Sequence, residues 1–458
     1  MVERNNVAVI DIGKTNVKLV LVDMNTLSEI AILKRPNHVL KDGAYPHYDV
    51  DVLWLFVLSS LKTFQLEHGV DAITATTHGG SGVLLAKGVQ LATPIMDYEF
   101  EGVGEAAEEY DKLRPSFHET GSPRLSGGLN FGTQIHWLFS RFPGVAERTQ
   151  TIVTYPQYWT ARLTGVLSTE VTSLACHTDL WSPSKGRVSS MVTEQGWARF
   201  LAPLKKADEK LGSLLPEISQ ETGIDENTPV YCGIHDSNAS LYPHILTQDA
   251  PFCVVSTGTW IVIMSIDDAD VELDAKRDTL MNVNALGCPT PSAKFMGGRE
   301  FERLMEGRPI GFTEEDVEYV LNARPMLMPS VENHVGPYQG CEHRWTGGVN
   351  ELSDGAYFVA VTFYLALVSA VCIKLTGCRG HAIVEGPFAE NTLYKQMLSV
   401  ATGQHVASAS GTGTSLGAAL LTSASAAKCL NEVELKSFKS SEYAAYASEW
   451  MARVEQTQ

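Results

Sequence analysis

The chain has 458 residues, with 35 Lys and Arg against 53 Asp and Glu, a formal charge of −18. Apolar residues make up 44% and charged residues 19%, which excludes wholesale disorder; the length suits two large domains, or up to about four smaller ones. The negative charge argues against nucleic acid and against an anionic membrane surface, but not against a nucleotide, whose single phosphate tail needs only a few local dipoles.

The first element pair is VAVIDIGKTNVKLVLVD, residues 7 to 23: an apolar strand, a tight turn at Gly13 and a second strand. The run breaks at Asp11, which with the sequence around Met1 gives no secretory signal and predicts a cytoplasmic protein. Asp51 to Gln65 reads as a helix, Ala72 to Thr77 as a strand, and Gln134 to Arg141 as a helix. Pro229 to Cys232 is a strand leading into Gly233-Ile234-His235-Asp236-Ser237-Asn238-Ala239 and a helix. Residues 252 to 265, FCVVSTGTWIVIMS, repeat the opening hairpin with Gly258 in the turn. Ala356 to Ile373 carries no charge over 18 residues and touches the length of a membrane span. It stands alone between Gly355 and Gly377, and an all-apolar helix is also what a fully buried helix between two domains looks like. Ala382 to Glu385 is a strand, and Asn391 to Thr402 a helix ended by Gly403.

Two halves that each open on a hairpin and then alternate strands and helices imply an α/β layered fold. Duplication implies two similar domains with a cleft between them, divided near residue 245 into 1–245 and 246–458. The eight cysteines include no CxxC pair, as expected of reduced, mostly buried thiols.

The chemistry concentrates in the bends. Asp11 ends a strand, where an unpaired buried carboxylate is costly unless a cation offsets it. The amides of Gly13, Lys14 and Thr15, followed by Asn16, can line a phosphate, with Asp11 holding Mg²⁺ directly or through water. An ordinary hairpin turn favours the same residues. Thr257-Gly258-Thr259, after Ser256, suits a second phosphate clamp. Asp236 sits near a helix N-terminus, where an N-cap is the plain alternative to a base that takes a hydroxyl proton. Gly-rich loops around Gly386 to Asn391 and around Gly411 can cradle an adenosine.

In this order, these features resemble the FGGY family of carbohydrate kinases, within the sugar kinase, hsp70 and actin superfamily, from about Val7 to Leu421. Within the family the chain is similar to rhamnulokinases and L-fuculokinase-like enzymes through YPQYWTARLTGVLSTEVTSLACHTDLW (155 to 181), GIHDSNA and VVSTGTW. The resemblance implies duplicated ribonuclease H-like, actin-like domains with mixed sheets flanked by helices and an interdomain cleft. It implies Asp236 as catalytic base and a sugar subsite of His78, Gly79, Asp97, Tyr98, His235 and Asp236. It also implies a first phosphate and magnesium loop of Asp11, Gly13, Lys14, Thr15 and Asn16, with Asp11 and Asp236 near the metal. Thr257, Gly258 and Thr259 would form the second phosphate loop, and Gly386, Asn391 and Gly411 would lie near the nucleotide. The chain departs from the pattern at Lys14, where a second Thr or Ser is usual, at Gln134 for a Lys, at Glu385-Gly386-Pro387 for a Gly-Gly-Gly run, and at Met296-Gly297-Gly298, which lacks an Asn.

The expected activity is transfer of phosphate from ATP to a primary hydroxyl, O1, of a ketose, with L-rhamnulose, L-fuculose, L-ribulose and D-xylulose all open. A homodimer is common in the family. The rivals are a sugar-independent actin-like ATPase, a catalytically silent sugar-binding regulator and a phosphatase.

Overall fold

The computed structural model describes residues 5–267, 269–409, 413–430 and 434–456. They fall into two compact units. The first holds residues 5–247, 281–289 and 413–430; the second holds 248–280, 290–409 and 434–456.

The first unit is built on a seven-stranded sheet. Its opening strands are β1 (Asn6–Ile12), β2 (Asn16–Asp23) and β3 (Ser28–Pro36), which form an antiparallel meander. Helix α1 (Val50–Glu67) starts where the Asp49 carboxylate accepts the Val52 amide at 3.2 Å. Strand β4 (Ala72–Thr77) then pairs parallel with β1. After α2 (Phe131–Arg141) and α3 (Tyr155–Thr164) come β5 (Lys210–Ser213), β6 (Pro229–Tyr231) and β7 (Ile234–His235). The order is β5-β6-β4-β1-β2-β3, with β7 also on β4. β1 and β4 lie inside the sheet and are buried at every position, so both read as continuous runs of small and apolar residues rather than alternations. Helix α4 (Asp236–Thr247) follows β7 directly.

The second unit repeats the scheme. β8 (Phe252–Thr257) and β9 (Ile261–Ile266) form a hairpin whose register runs from Phe252 opposite Ile266 to Thr257 opposite Ile261. β10 (Thr279–Val283), β11 (Pro289–Phe295), β12 (His381–Glu385) and β13 (Val406–Ser408) complete a six-stranded sheet of order β10-β11-β9-β8-β12-β13. β12 is parallel to β8 as β4 is to β1. Hairpin, then parallel strand, is the same connectivity twice, the duplicated actin-like α/β arrangement. Its helices include α5 (Gly297–Leu304), α6 (Asp354–Leu375) and α7 (Thr392–Thr402).

Helix α6 is the uncharged segment noted in the sequence. Residues Ala356 to Ile373 are buried without exception, and the helix is the centre of the second unit's own core, packed with residues such as Val255, Leu327, Tyr394 and Trp450. Its place inside one unit, rather than between two domains, explains apolarity on all faces without lipid. The short helix α8 (Thr414–Ala419) belongs to the first unit. A Cβ on Gly417 would lie 1.8 Å from the Ala239 carbonyl of α4, so glycine permits that close helix packing.

Candidate active site in the N-terminal unit

Strand register assembles the site. Asp11 lies opposite Thr76 and Ile12 opposite Thr77, while Ile234 and His235 lie opposite the same two threonines. Parallel strands aligned this way end at one level, so the residues that follow them emerge on one edge of the sheet. The His78 amide donates to the Ile12 carbonyl at 3.0 Å, which locks the two strand ends together.

Asp236 opens helix α4 with its side chain one-third exposed. Its Oδ1 accepts the Ser237 amide at 2.6 Å and lies 3.1 Å from His235 Nε2. Oδ2 carries no bond from a described residue. His235 is buried; its Nε2 also lies 3.6 Å from Cys176 Sγ, and its Nδ1 is 3.5 Å from Asn238 Nδ2. Its amide donates to Thr172 Oγ1 at 3.1 Å, and the buried Glu170 carboxylate accepts the Thr172 amide at 3.0 Å. Burial works against an imidazolium here, but the Cys176 sulfur and the Asp236 carboxylate outweigh it and raise the His235 pKa to about 9. Burial likewise opposes ionisation of Cys176, and His177 and His235 overcome it, holding the thiol well below its ordinary range. Gly79 makes this packing possible: a Cβ there would stand 2.8 Å from His235 Nε2 and 3.0 Å from Cys176 Sγ.

Asp11 is buried, and its carboxylate accepts no hydrogen bond from a described residue. Burial, with smaller contributions from Asp236 and Glu29 against the opposing Lys18, pushes its pKa up to about 7. A buried acid with no donor, repelled by a second acid, fits a divalent cation, which would relieve both costs. The first bend is tight. The Gly13 amide donates to the Asn16 carbonyl at 2.9 Å, and a Cβ on Gly13 would lie 2.8 Å from that oxygen. Thr15 and Asn16 are exposed at its tip. Asn37 braces the bend from β3's end, its side chain donating to the Gly13 carbonyl at 2.9 Å and its amide to Thr15 at 2.8 Å.

Lys14 points elsewhere than its neighbours. Its ammonium is hydrogen-bonded to Asp97 and lies 3.3 Å from Glu99 Oε2, 4.9 Å above the Tyr98 ring and 5.6 Å from the Tyr48 ring. His78 sits among the rings of Tyr48, Tyr98 and Tyr155 at 5.4, 5.2 and 5.1 Å. Its Nδ1 bonds the Gly79 carbonyl at 2.8 Å, and its buried Nε2 has no partner among the described residues. Burial drives the His78 pKa down to about 4, so the ring is neutral.

The structure therefore brings Asp11, Gly13, Lys14, Thr15, Asn16, His78, Gly79, Asp97, Tyr98, His235 and Asp236 into the first unit. Thr257, Gly258, Thr259, Gly386 and Asn391 belong to the second unit and gather there around its hairpin. The buried Thr257 hydroxyl donates to the Glu385 carbonyl and accepts the Phe388 amide at 3.1 Å. Gly386, at φ +77°, passes so close that a Cβ would stand 1.9 Å from the Thr257 carbonyl. Gly258 and Thr259 are exposed, and the Gly298 backbone of α5 abuts the Gly258 carbonyl, where a Cβ would lie 1.9 Å away. The Asn391 side chain accepts the Tyr394 amide at 3.1 Å as the N-cap of α7. Gly411 lies outside the described residues.

Sequence reasoning assigned no role to Cys176, Glu170, Thr172, Tyr48, Tyr155 or Asn37. Four of these stand in or beside the 155–181 segment that carried the family likeness, which was the available signal; Tyr48 and Asn37 had none.

Comparison with known proteins agrees with this architecture. Residues 7–242 match the N-terminal domain of the FGGY family of carbohydrate kinases, and residues 249–430 match the C-terminal domain of carbohydrate kinase FGGY. The crystal structure of a carbohydrate kinase from Novosphingobium aromaticivorans is 33% identical, covers 99% of both chains and superposes with a TM-score of 0.89. A xylulose kinase from Lactobacillus acidophilus, 15% identical over 99% of this chain and 97% of its own, gives a TM-score of 0.80 and shares the fold. The L-fuculokinase of Haemophilus influenzae is 22% identical over 277 residues, 56% of this chain and 57% of that protein. The rhamnulokinase of Bacteroides thetaiotaomicron is 24% identical over 296 residues, 62% and 59% of the two chains. The chain thus spans somewhat over half the length of these curated relatives. With both domain matches together covering most of its length, the chain belongs to the FGGY family of carbohydrate kinases.

Proposed function

We propose that this protein is an ATP-dependent sugar kinase that transfers the γ-phosphoryl of ATP to a primary hydroxyl, O1, of a ketose. The observation that carries the reading is Asp236: one carboxylate oxygen is tied to Ser237 and His235, and the other takes no bond from a described residue. A base needs that division, because the bound oxygen fixes the group while the free one meets the incoming hydroxyl.

In this reading Asp236 Oδ2 accepts the proton of the ketose hydroxyl. That oxygen bonds to the γ-phosphorus as the bond from phosphorus to the β–γ bridging oxygen breaks, leaving a sugar phosphate and ADP. His78 Nε2 and the Asp97–Tyr98 wall orient the sugar. Asp11, with Asp236 nearby, would hold Mg²⁺, which when bound neutralises charge on the phosphates. The amides of Gly13 to Thr15 and the bend at Thr257 to Thr259 would serve the phosphates, and the Gly386 turn the adenosine. Residues 1–245 would carry the sugar and 246–458 the nucleotide. A cytoplasmic location follows from ATP as donor.

The test is coupled ADP release with a panel of L-rhamnulose, L-fuculose, L-ribulose and D-xylulose. Ketose-dependent turnover supports the reading. Hydrolysis of ATP at one rate with and without every sugar would replace it with an actin-like ATPase, and sugar-induced thermal stabilisation without ADP would replace it with a sugar-binding regulator.

A further inference from the structure

We propose that Lys14, although it stands in the first glycine-bearing bend, belongs to the acceptor-sugar subsite, and that its pairing there with Asp97 and Glu99 suits the subsite to an uncharged polyhydroxy acceptor rather than a sugar acid. This rests on the kinase reading and narrows its substrate class.

Three observations place the ammonium there. It is bonded to Asp97 and lies 3.3 Å from Glu99, both of them beyond β4 rather than on the bend. It stands over the faces of Tyr98 and Tyr48, the same rings that enclose His78. Within that enclosure the buried His78 Nε2 has no partner among the described residues, which is the mark of a group awaiting a ligand hydroxyl.

Asp97 is itself fixed. Its Oδ1 accepts the Glu99 amide at 3.1 Å, and the Tyr48 hydroxyl lies 3.5 Å away. A rigid carboxylate beside a rigid ammonium offers an acceptor and a donor side by side, which matches neighbouring hydroxyls of a sugar. The tyrosine faces supply apolar surface for its C–H groups.

Charge decides the class. One ammonium against the two carboxylates of Asp97 and Glu99 leaves the cluster net negative. A sugar acid would bring a further carboxylate to a place where the ammonium is already paired with two. A neutral ketose brings only hydroxyls, to which a paired ammonium still donates.

The experiment measures binding without nucleotide, so that it does not depend on turnover. The full-length wild type, Lys14→Met and Lys14→Gln are titrated calorimetrically with each ketose of the panel and with L-rhamnonate and D-gluconate. ATP KM is then measured with whichever ketose is turned over. The expected result is a ketose Kd raised about 10-fold or more in both variants, equivalent to about 1.4 kcal/mol. ATP KM should move less than about 2-fold, and the wild type should bind neither acid as tightly as the ketose. An unchanged ketose Kd, an ATP KM raised at least as much as the ketose Kd, or tighter binding of an acid overturns the proposal. Far-ultraviolet circular dichroism and thermal melts check folding; if Lys14→Met is unfolded, Lys14→Gln carries the decision. Ketose binding without phosphorylation would remove the kinase reading while leaving this assignment measurable, whereas absence of binding to every ketose would remove both.

Discussion

His235 Nε2 lies 3.1 Å from Asp236 Oδ1, although the two residues straddle the end of β7 and the start of α4. The strand buries the imidazole and the helix exposes the carboxylate, so adjacent residues divide the work. One is a fixed, desolvated anchor, and the other an accessible carboxylate held in one orientation.

Replacing that carboxylate removes the proposed base without removing bulk. Asp236→Asn should lower kcat by about 10²- to 10⁴-fold, the range of general-base catalysis. The Ser237 amide bond can persist to the amide oxygen, so the thermal midpoint should change little. Equal turnover by wild type and variant in the coupled assay would remove Asp236 from its role.

The His235–Cys176 pair predicts a pH effect. With a pKa raised to about 9, the protonated form of His235 contributes stability that is complete below the ordinary imidazole value and fades as pH rises through 9. Cys176→Ala removes a sulfur that helps hold the proton. The alkaline limb of the kcat/KM profile should move to lower pH, and the fall in thermal midpoint on the alkaline side should begin earlier. A profile superimposable on wild type would show that Cys176 only packs.

Asp11 gives the opposite kind of group, an acid whose folded pKa is raised to about 7. The folded state holds its proton where the unfolded state has lost it. Without metal, this stability is complete below about pH 4 and is lost as pH rises to 7. Asp11→Asn should therefore melt higher than wild type at pH 8 and at a similar temperature at pH 4.5. Mg²⁺ should raise the wild-type midpoint at pH 8 far more than at pH 5.5, and leave the variant unmoved at both. A Mg²⁺ response that survives in Asp11→Asn would place the metal on other residues.

Gly386→Ala tests the second unit. The new methyl would stand 1.9 Å from the Thr257 carbonyl, and φ +77° disfavours any side chain. Urea unfolding should show a loss of about 2–4 kcal/mol. A variant as stable as wild type would mean that this turn relaxes freely.

Much of the architecture was legible along the chain. Continuous apolar runs ending in glycine bends gave both hairpins, the parallel strand at Ala72 to Thr77 and the helix capped by Asn391 and closed by Gly403, because period-two and period-3.6 patterns are local properties. The short polar motifs at Asp11, His78 and His235-Asp236 were visible for the same reason: each stands at the end of a strand or directly after it.

Partnership across the chain was decided elsewhere. Lys14 reads as a phosphate-bend lysine until strand pairing sets it against Asp97, 83 residues away. Cys176 reads as an ordinary buried thiol until the fold sets it against His235, 59 residues away. Asn37 reads as a loop residue until it braces Gly13. The amino-acid sequence by itself determined which segments become strand, helix and bend, and which of them end in chemically capable side chains. Only the tertiary structure decided which of those side chains meet, because contact between distant residues depends on sheet order and register, and these are settled by the packing of the whole unit rather than by any local run of residues.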